Sequence, residues 1–197
     1  AQGLELGDRI AIYLPNCIEA VELMCGAGKA GAVMVPIPGR LAAAEVAFII
    51  GDCKARFVFH DSADAILESA VAAYRHSVFI HVGPASPEWA QFLSEHSGPV
   101  PALDPSVEDL VLGYTSGTSG APKAAVGTHT SMLIGSGYMS GLEYGLTADD
   151  VILVTSPIAH RVGLSRVMNM LCIGLTAVIM ERFEAETAIA LIEAHQV

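Results

Sequence analysis

A chain of 197 residues is long enough to bury one substantial core. Its formal charge of −11, from 21 acidic against 10 basic residues, excludes a nucleic-acid binder that depends on a basic face. At 52% hydrophobic and only 16% charged, it is apolar-rich beside an ordinary globular domain.

The opening Ala1-Gln2-Gly3-Leu4 has neither the basic start nor the apolar run of a signal peptide, and it lacks an initiator methionine. A fragment of a longer protein is expected. Arg9 to Leu14 predicts an apolar strand ending at Pro15-Asn16. Cys17 to Ala30 predicts an amphipathic helix, with Ile18, Val21 and Met24 or Cys25 on one face and Glu19 and Glu22 toward water. Asn16 suits its N-cap and Gly31 its C-terminal stop. Val33 to Pro36 is the next strand. Gly26-Ala27-Gly28-Lys29-Ala30-Gly31 has the spacing of the dinucleotide fingerprint, but it closes a helix and precedes a strand, the reverse of what that motif requires. Close helix–sheet packing is the expected use of these small residues.

Ala42 to Ile50 predicts a helix and Ala55 to His60 a strand rich in β-branched and aromatic residues. Asp64 to Ala73 follows as a helix capped by Asp61 or Ser62, and Val78 to Val82 as a strand. Alternating strands and helices with short connections predict an α/β fold, mainly parallel sheet flanked by helices. Gly83 to Pro105 is punctuated by Pro84, Pro87, Pro99, Pro101 and Pro105, with one helical piece near Pro87 to Glu95. It predicts a surface connection, with Trp89 as a packing residue. The expected organisation is a first α/β segment over 1–82, this connection over 83–106, and a second α/β segment over 107–197.

In the second segment the apolar run Leu110 to Leu112 leads into Gly113-Tyr114-Thr115-Ser116-Gly117-Thr118-Ser119-Gly120-Ala121-Pro122-Lys123. Glycines let backbone N–H groups converge on an anion, the four hydroxyls add donors, and Lys123 adds a positive charge. A polyphosphate is the natural guest. The lysine follows proline and precedes alanine, so this is no Walker loop. No Gly-x-Ser-x-Gly elbow is present either. The plain alternative is a Ser/Gly/Thr surface turn.

Ala124 to Gly127 then predicts a strand, and Thr130 to Gly141 a helix capped by Thr128 or Thr130. Val151 to Thr155 predicts a strand aimed into Ser156-Pro157-Ile158-Ala159-His160-Arg161-Val162-Gly163. Gly163 to Ile173 is expected as a helix, Ala177 to Met180 as a strand and Ala185 to His195 as a final helix. Arg166, Asn169, Gly163 and Gly174 interrupt Val162 to Met180 too often for a membrane span. Cys17, Cys25, Cys53 and Cys172 have no metal-ligand spacing and predict free thiols in a reducing, cytoplasmic setting.

Tyr114 through Lys123 resembles the phosphate-loop signature of the AMP-forming adenylating enzymes: acyl-CoA synthetases, adenylation domains of peptide synthetases, and luciferases. Gly7-Asp8-Arg9-Ile10 through Pro15-Asn16, Lys29 to Val33, and Pro36 through Arg40 resemble the opening of that family's large N-terminal domain. Pro157-x-x-His160-x-x-Gly163 resembles its second substrate-region motif. The resemblance implies an ATP-dependent acid–thiol ligase, with Mg2+ bound to ATP and CoA as co-substrate, in fatty-acid or related metabolism. It implies nucleotide binding by Thr115, Ser116, Gly117, Thr118, Ser119, Gly120 and Lys123, catalytic roles for Lys123 and His160, and acid binding by His160, Arg161 and Gly163. His129 also fits the family pattern, with a structural role expected. No protein-held metal is expected, the remaining histidines forming no ligand set.

The chain departs from the family pattern at Ser119, where threonine is common, and at Ala124, where glycine usually follows the lysine. It departs again at Ala159, where a bulky aromatic is frequent. With Arg161 beside it, Ala159 argues against a plain fatty acid. The family's Tyr-Gly-x-Thr-Glu, ribose-binding aspartate, hinge and C-terminal lysine have no match, so the chain alone is expected to be inactive. Apolar faces intended for missing sequence are expected to make it self-associate. An amino-acid-activating domain would place an aspartate near Pro157 to His160, and none stands there. A non-catalytic scaffold of the same fold is the other alternative.

Overall fold

The structure, a computed structural model, describes residues 3–61, 70, 74, 76–94, 108–115 and 122–197. The first half runs β1 (Arg9–Tyr13), α1 (Ile18–Ala30), β2 (Val33–Pro36), α2 (Ala43–Asp52), β3 (Phe57–His60), β4 (Val78–His81) and α3 (Pro87–Ser94). The second runs β5 (Asp109–Thr115), β6 (Lys123–Thr128), the wide-wound helix π1 (Thr130–Met139), α4 (Ser140–Glu143), β7 (Val151–Val154), α5 (Arg161–Ile173), β8 (Thr176–Ile179) and α6 (Ala185–His195). The helix expected over Asp64 to Ala73 lies almost entirely outside the described residues.

β1 is buried at four of its five positions because both of its faces are covered. Ile10, Ile12 and Leu14 join a core with Val21, Leu23 and Met24 of α1, whereas Ala11 and Tyr13 join one with Val46, Ile49 and Ile50 of α2. Such a strand has no polar face to show, which is why its sequence is a continuous apolar run. Parallel hydrogen bonds leave it on both edges, to β2 with Arg9 opposite Val33 and to β3 with Ile10 opposite Phe57. The sheet has the order β4-β3-β1-β2-β5-β6, parallel except for the antiparallel β5–β6 hairpin. The α/β expectation therefore holds, with one antiparallel pair.

β5 and β6 complete the sheet begun by the first segment, and the second segment adds only the parallel pair β7–β8 of its own. That pair packs beside α1: Val154, Ile158, Leu164, Val167 and Met168 belong to the same core as Ile12 and Met24. Trp89 packs as expected, edge-on to Phe59 and stacked on Phe92.

Several local expectations change. Asn16 does not cap α1; Cys17 holds the cap position with no side-chain bond, and the Asn16 amide is used elsewhere. Ile18, expected on the buried face of α1, is 67% exposed. Gly31 does close the helix, at φ 68°, a left-handed conformation that favours glycine. Thr128 caps the following helix as expected: its Oγ1 accepts from the Ser131 N–H, while Ser131 Oγ accepts from the Thr128 N–H. The π winding of Thr130–Met139 has no signature in side-chain periodicity.

Asn169 fastens α5 to this helix. Fully buried, its Nδ2 donates to the carbonyls of Ser136 (3.3 Å) and Gly137 (2.6 Å) and to Ser140 Oγ (3.0 Å). Its Oδ1 accepts from Arg166 at 3.0 Å, and the Arg166 guanidinium lies over the Tyr144 ring. No described helix is long and apolar enough to cross a membrane. All four cysteines are free, and burial pushes the Cys17 and Cys53 thiols up to about 11.

Replacing a fully buried, hydrogen-bonded amide leaves its partners without compensation from water. Asn169→Ala is expected to cost about 1–3 kcal/mol, read as a lower urea midpoint at unchanged slope.

Candidate functional site

The motif residues gather at one rim because the strands that carry them run the same way. β5 is parallel to β2, and β2 to β1, so Thr115 ends β5 on the rim where β1 passes into Leu14-Pro15-Asn16. β6 returns antiparallel, placing Lys123 opposite Thr115, whose Oγ1 donates to the Lys123 carbonyl at 3.4 Å. Both residues are exposed. Ser116, Gly117, Thr118, Ser119 and Gly120, between them, lie outside the described residues. Just before the loop, Tyr114 Oη donates to Asp52 Oδ2 at 2.5 Å, tying the end of β5 to the end of α2. Burial, then the Asp52 bond, pushes the Tyr114 phenol up. This anchor was not foreseen, since Tyr114 and Asp52 are 62 positions apart.

The second motif sits at the carboxyl end of β7, where Ser156 to His160 turn into α5. The His160 N–H donates to the Pro157 carbonyl at 3.0 Å, and the His160 carbonyl accepts from the Leu164 N–H at 2.9 Å. His160 thus holds the cap position of α5, with its ring exposed. The helix begins at Arg161, two residues earlier than the sequence suggested, and Arg161 is exposed on its first turn. Gly163 is buried beneath the turn, and a Cβ there would stand 2.2 Å from the Pro157 carbonyl oxygen. Only a residue without a side chain allows this approach.

Asn16 joins this turn to the large sheet. Its Nδ2 donates to the carbonyls of Ser156 and Met180, both at 3.0 Å, and its Oδ1 accepts from the Ile158 N–H at 2.7 Å. Sequence reasoning missed it because a polar residue after a strand looks like a helix cap. No hydrogen bond among the described residues joins the Thr115–Lys123 pair directly to the His160 turn. His129 follows Thr128 at the opposite end of the hairpin from the rim, its N–H donating to the Glu108 carbonyl at 2.8 Å. Among the described residues no group of three or more His, Cys, Asp or Glu could hold a metal ion. An apolar cavity of about 630 Å3, lined by Leu4, Ile10, Phe57, Phe59, Trp89 and Phe92, opens beside α1, and none of Thr115, Lys123, His160, Arg161 and Gly163 lines it.

The model of the AMP-binding enzyme family matches residues 1–197. The chain belongs to this family. A long-chain-fatty-acid–CoA ligase of Mycobacterium tuberculosis is 34% identical over 204 residues, covering 98% of this chain and 38% of that protein. A crotonobetaine/carnitine–CoA ligase of Proteus is 31% identical, covering 95% and 39% respectively. The inhibitor-bound N-terminal domain of FACL13 from Mycobacterium tuberculosis superposes with a TM-score of 0.86 at 31% identity, covering all of this chain and 50% of that one. This AMP-binding chain thus spans less than two-fifths of the curated relatives' length.

The tight seat of Gly163 in this AMP-binding chain generates a stability test. Gly163→Ala must push the Ser156 to His160 turn off the first turn of α5, at an expected cost of about 1–3 kcal/mol. Thermal unfolding checks it, and Gly163→Val should be worse than alanine.

Proposed function

We propose that this chain supplies the phosphate-holding loop and part of the acid pocket of an ATP-dependent acid–CoA ligase. In the first step a substrate carboxylate oxygen attacks the α-phosphorus of magnesium ATP. The bond to the bridging oxygen breaks, giving an acyl-adenylate and pyrophosphate. In the second, the thiolate of CoA attacks the acyl carbon and expels AMP, leaving a thioester. Charge builds on phosphate oxygens during the first step, so donors and cations aimed there stabilise the transition state more than the ground state.

The observation that carries the reading is the register of β5 against β6. Thr115 stands opposite the exposed Lys123, and the sequence between them is rich in hydroxyls and glycines. We assign Thr115, Ser116, Gly117, Thr118, Ser119 and Gly120 to the nucleotide phosphates, and Lys123 to the charge of the leaving pyrophosphate. His160 is assigned to orienting the reacting carboxylate, with Gly163 keeping its turn close to α5. The adenine contacts and the remainder of the site are assigned to sequence outside residues 1–197. The relatives' names span a long-chain fatty acid and crotonobetaine or carnitine, so the reading is of a carboxylic-acid ligase and not of a fatty-acid ligase. The absence of a carboxylate between Ser156 and Gly163 disfavours an amino-acid-activating domain.

One assay series in the complete polypeptide tests the assignments. Lys123→Ala should raise the barrier to adenylate formation by about 2–3 kcal/mol with little change in acid binding. His160→Ala should lower turnover with every acid. Arg161, exposed on the first turn of α5, is expected to leave acid preference unchanged as leucine. A preference shifted more than about tenfold toward monocarboxylic acids would assign it to the pocket instead. Wild-type kinetics in Lys123→Ala would remove the lysine from the mechanism.

We also propose that residues 1–197 expressed alone make no acyl-adenylate and self-associate. Ile134, Tyr138, Leu142, Phe183, Ile189 and Ile192 are exposed, which supports association through apolar faces. Light scattering should find dimers or larger species, and a clean monomer at high concentration would refute this.

A further inference from the structure

We infer that Asn16 is a positioning residue that holds the His160 turn in register with the phosphate-loop rim. The inference rests on the ligase reading for its kinetic consequence, but its geometry stands apart from that reading. Asn16 is buried, 8% exposed, and lies 140 to 164 positions from its three partners. All three partner atoms are main-chain groups just beyond the carboxyl ends of β7 and β8: the Ser156 carbonyl, the Ile158 N–H and the Met180 carbonyl. A carboxamide is suited to this because it offers two N–H donors and an acceptor in one rigid plane. Aspartate lacks the donors, and serine is too short to reach both sides.

The position of Asn16 in its own sheet gives the contact its meaning. It follows Pro15 at the end of β1, the strand whose parallel neighbour β2 pairs with β5, and β5 ends at Thr115. The chain of hydrogen bonds therefore runs from the loop-bearing strand through β2 and β1 to Asn16, and from Asn16 to Ser156 and Ile158, just ahead of Ala159-His160. In parallel sheets, ligand sites lie outside the carboxyl ends of the strands. Here the carboxyl ends of two separate sheets are brought to one place, and the Asn16 amide satisfies the backbone at their junction. A change of about an ångström in how a reacting group is held is enough to cost catalysis heavily. Loss of Asn16 should thus act on the side of the site that holds the acid. The β5–β6 hairpin keeps its own ladder and its Tyr114–Asp52 anchor, so the nucleotide side should be spared.

The test uses Asn16→Ala and, in case alanine folds poorly, Asn16→Asp, which retains the acceptor for the Ile158 N–H. Both are made in the complete polypeptide. Amide hydrogen exchange is read at Ile158, at Ala11 and Ile12 within β1, and at Val167 within α5. Steady-state kinetics give KM for the acid and for ATP separately. With alanine we expect exchange at Ile158 to accelerate at least about tenfold while the β1 and α5 amides keep their protection. We expect KM for the acid to rise on the order of tenfold, with KM for ATP within about twofold. With aspartate, Ile158 should keep more protection than with alanine. Uniform loss of protection in both sheets, or equal rises in both KM values, would make Asn16 a general stability residue and overturn the inference. So would unchanged exchange at Ile158. If the wild-type polypeptide forms no adenylate with any acid, the ligase reading fails, and the exchange measurements still decide whether Asn16 holds the turn.

Discussion

The hydrogen bonds that leave β1 on both edges set the direction of the six-stranded sheet, and the candidate rim follows from that direction. β2 and β3 both run parallel to β1, β5 runs parallel to β2, and so the carboxyl ends of the strands face one side. A central parallel strand is stable only when both faces are covered, which α1 and α2 accomplish with Val21, Met24, Val46 and Ile50 among others. With the strand held so completely, whatever follows it is held too. Pro15-Asn16 is the first segment to leave the sheet, and its amide reaches the second sheet while β1 is still an anchor.

Two parts of the rim are built on different physical terms. The β5–β6 hairpin is a local structure, closed by antiparallel pairing between residues close in sequence. The His160 turn depends on distant partners: Asn16 on one side and the Pro157–Gly163 approach on the other. Charge adds a further constraint. A chain with a formal charge of −11 repels a polyphosphate at long range, but that field is screened beyond about 8 Å at physiological salt. Under the proposed reading, the exposed Lys123 would supply a local cation to an anionic guest.

The element order was legible in the sequence because most strands are short apolar runs and most helices end at a glycine or a proline-rich stretch. The last helix, Ala185–His195, and the short one near Trp89 fall where their patterns put them. The errors have physical causes. Local geometry favours Asn16 as a helix cap, and a bond to a residue 140 positions away leaves no local trace. Helical periodicity puts Ile18 on the buried face, yet it stands on the first turn of α1 and is 67% exposed. Glycine looks like a break and so suggests a start of α5 at Gly163, whereas here it marks a close contact inside the first turn.

By itself the sequence determined the fold class, the family, and the residue types available at the site: hydroxyls and glycines before a lysine, and a histidine three residues before a glycine. These are properties of contiguous segments, and local propensity and spacing express them directly. Tertiary structure alone decided that β5 and β6 complete the first sheet, that Thr115 and Lys123 face each other, and that Asn16 joins that sheet to the turn before His160. Each of those is a pairing of backbone groups between segments far apart in the chain. Every non-proline residue carries the same backbone donor and acceptor, so only the packing of the finished sheets selects which of them meet.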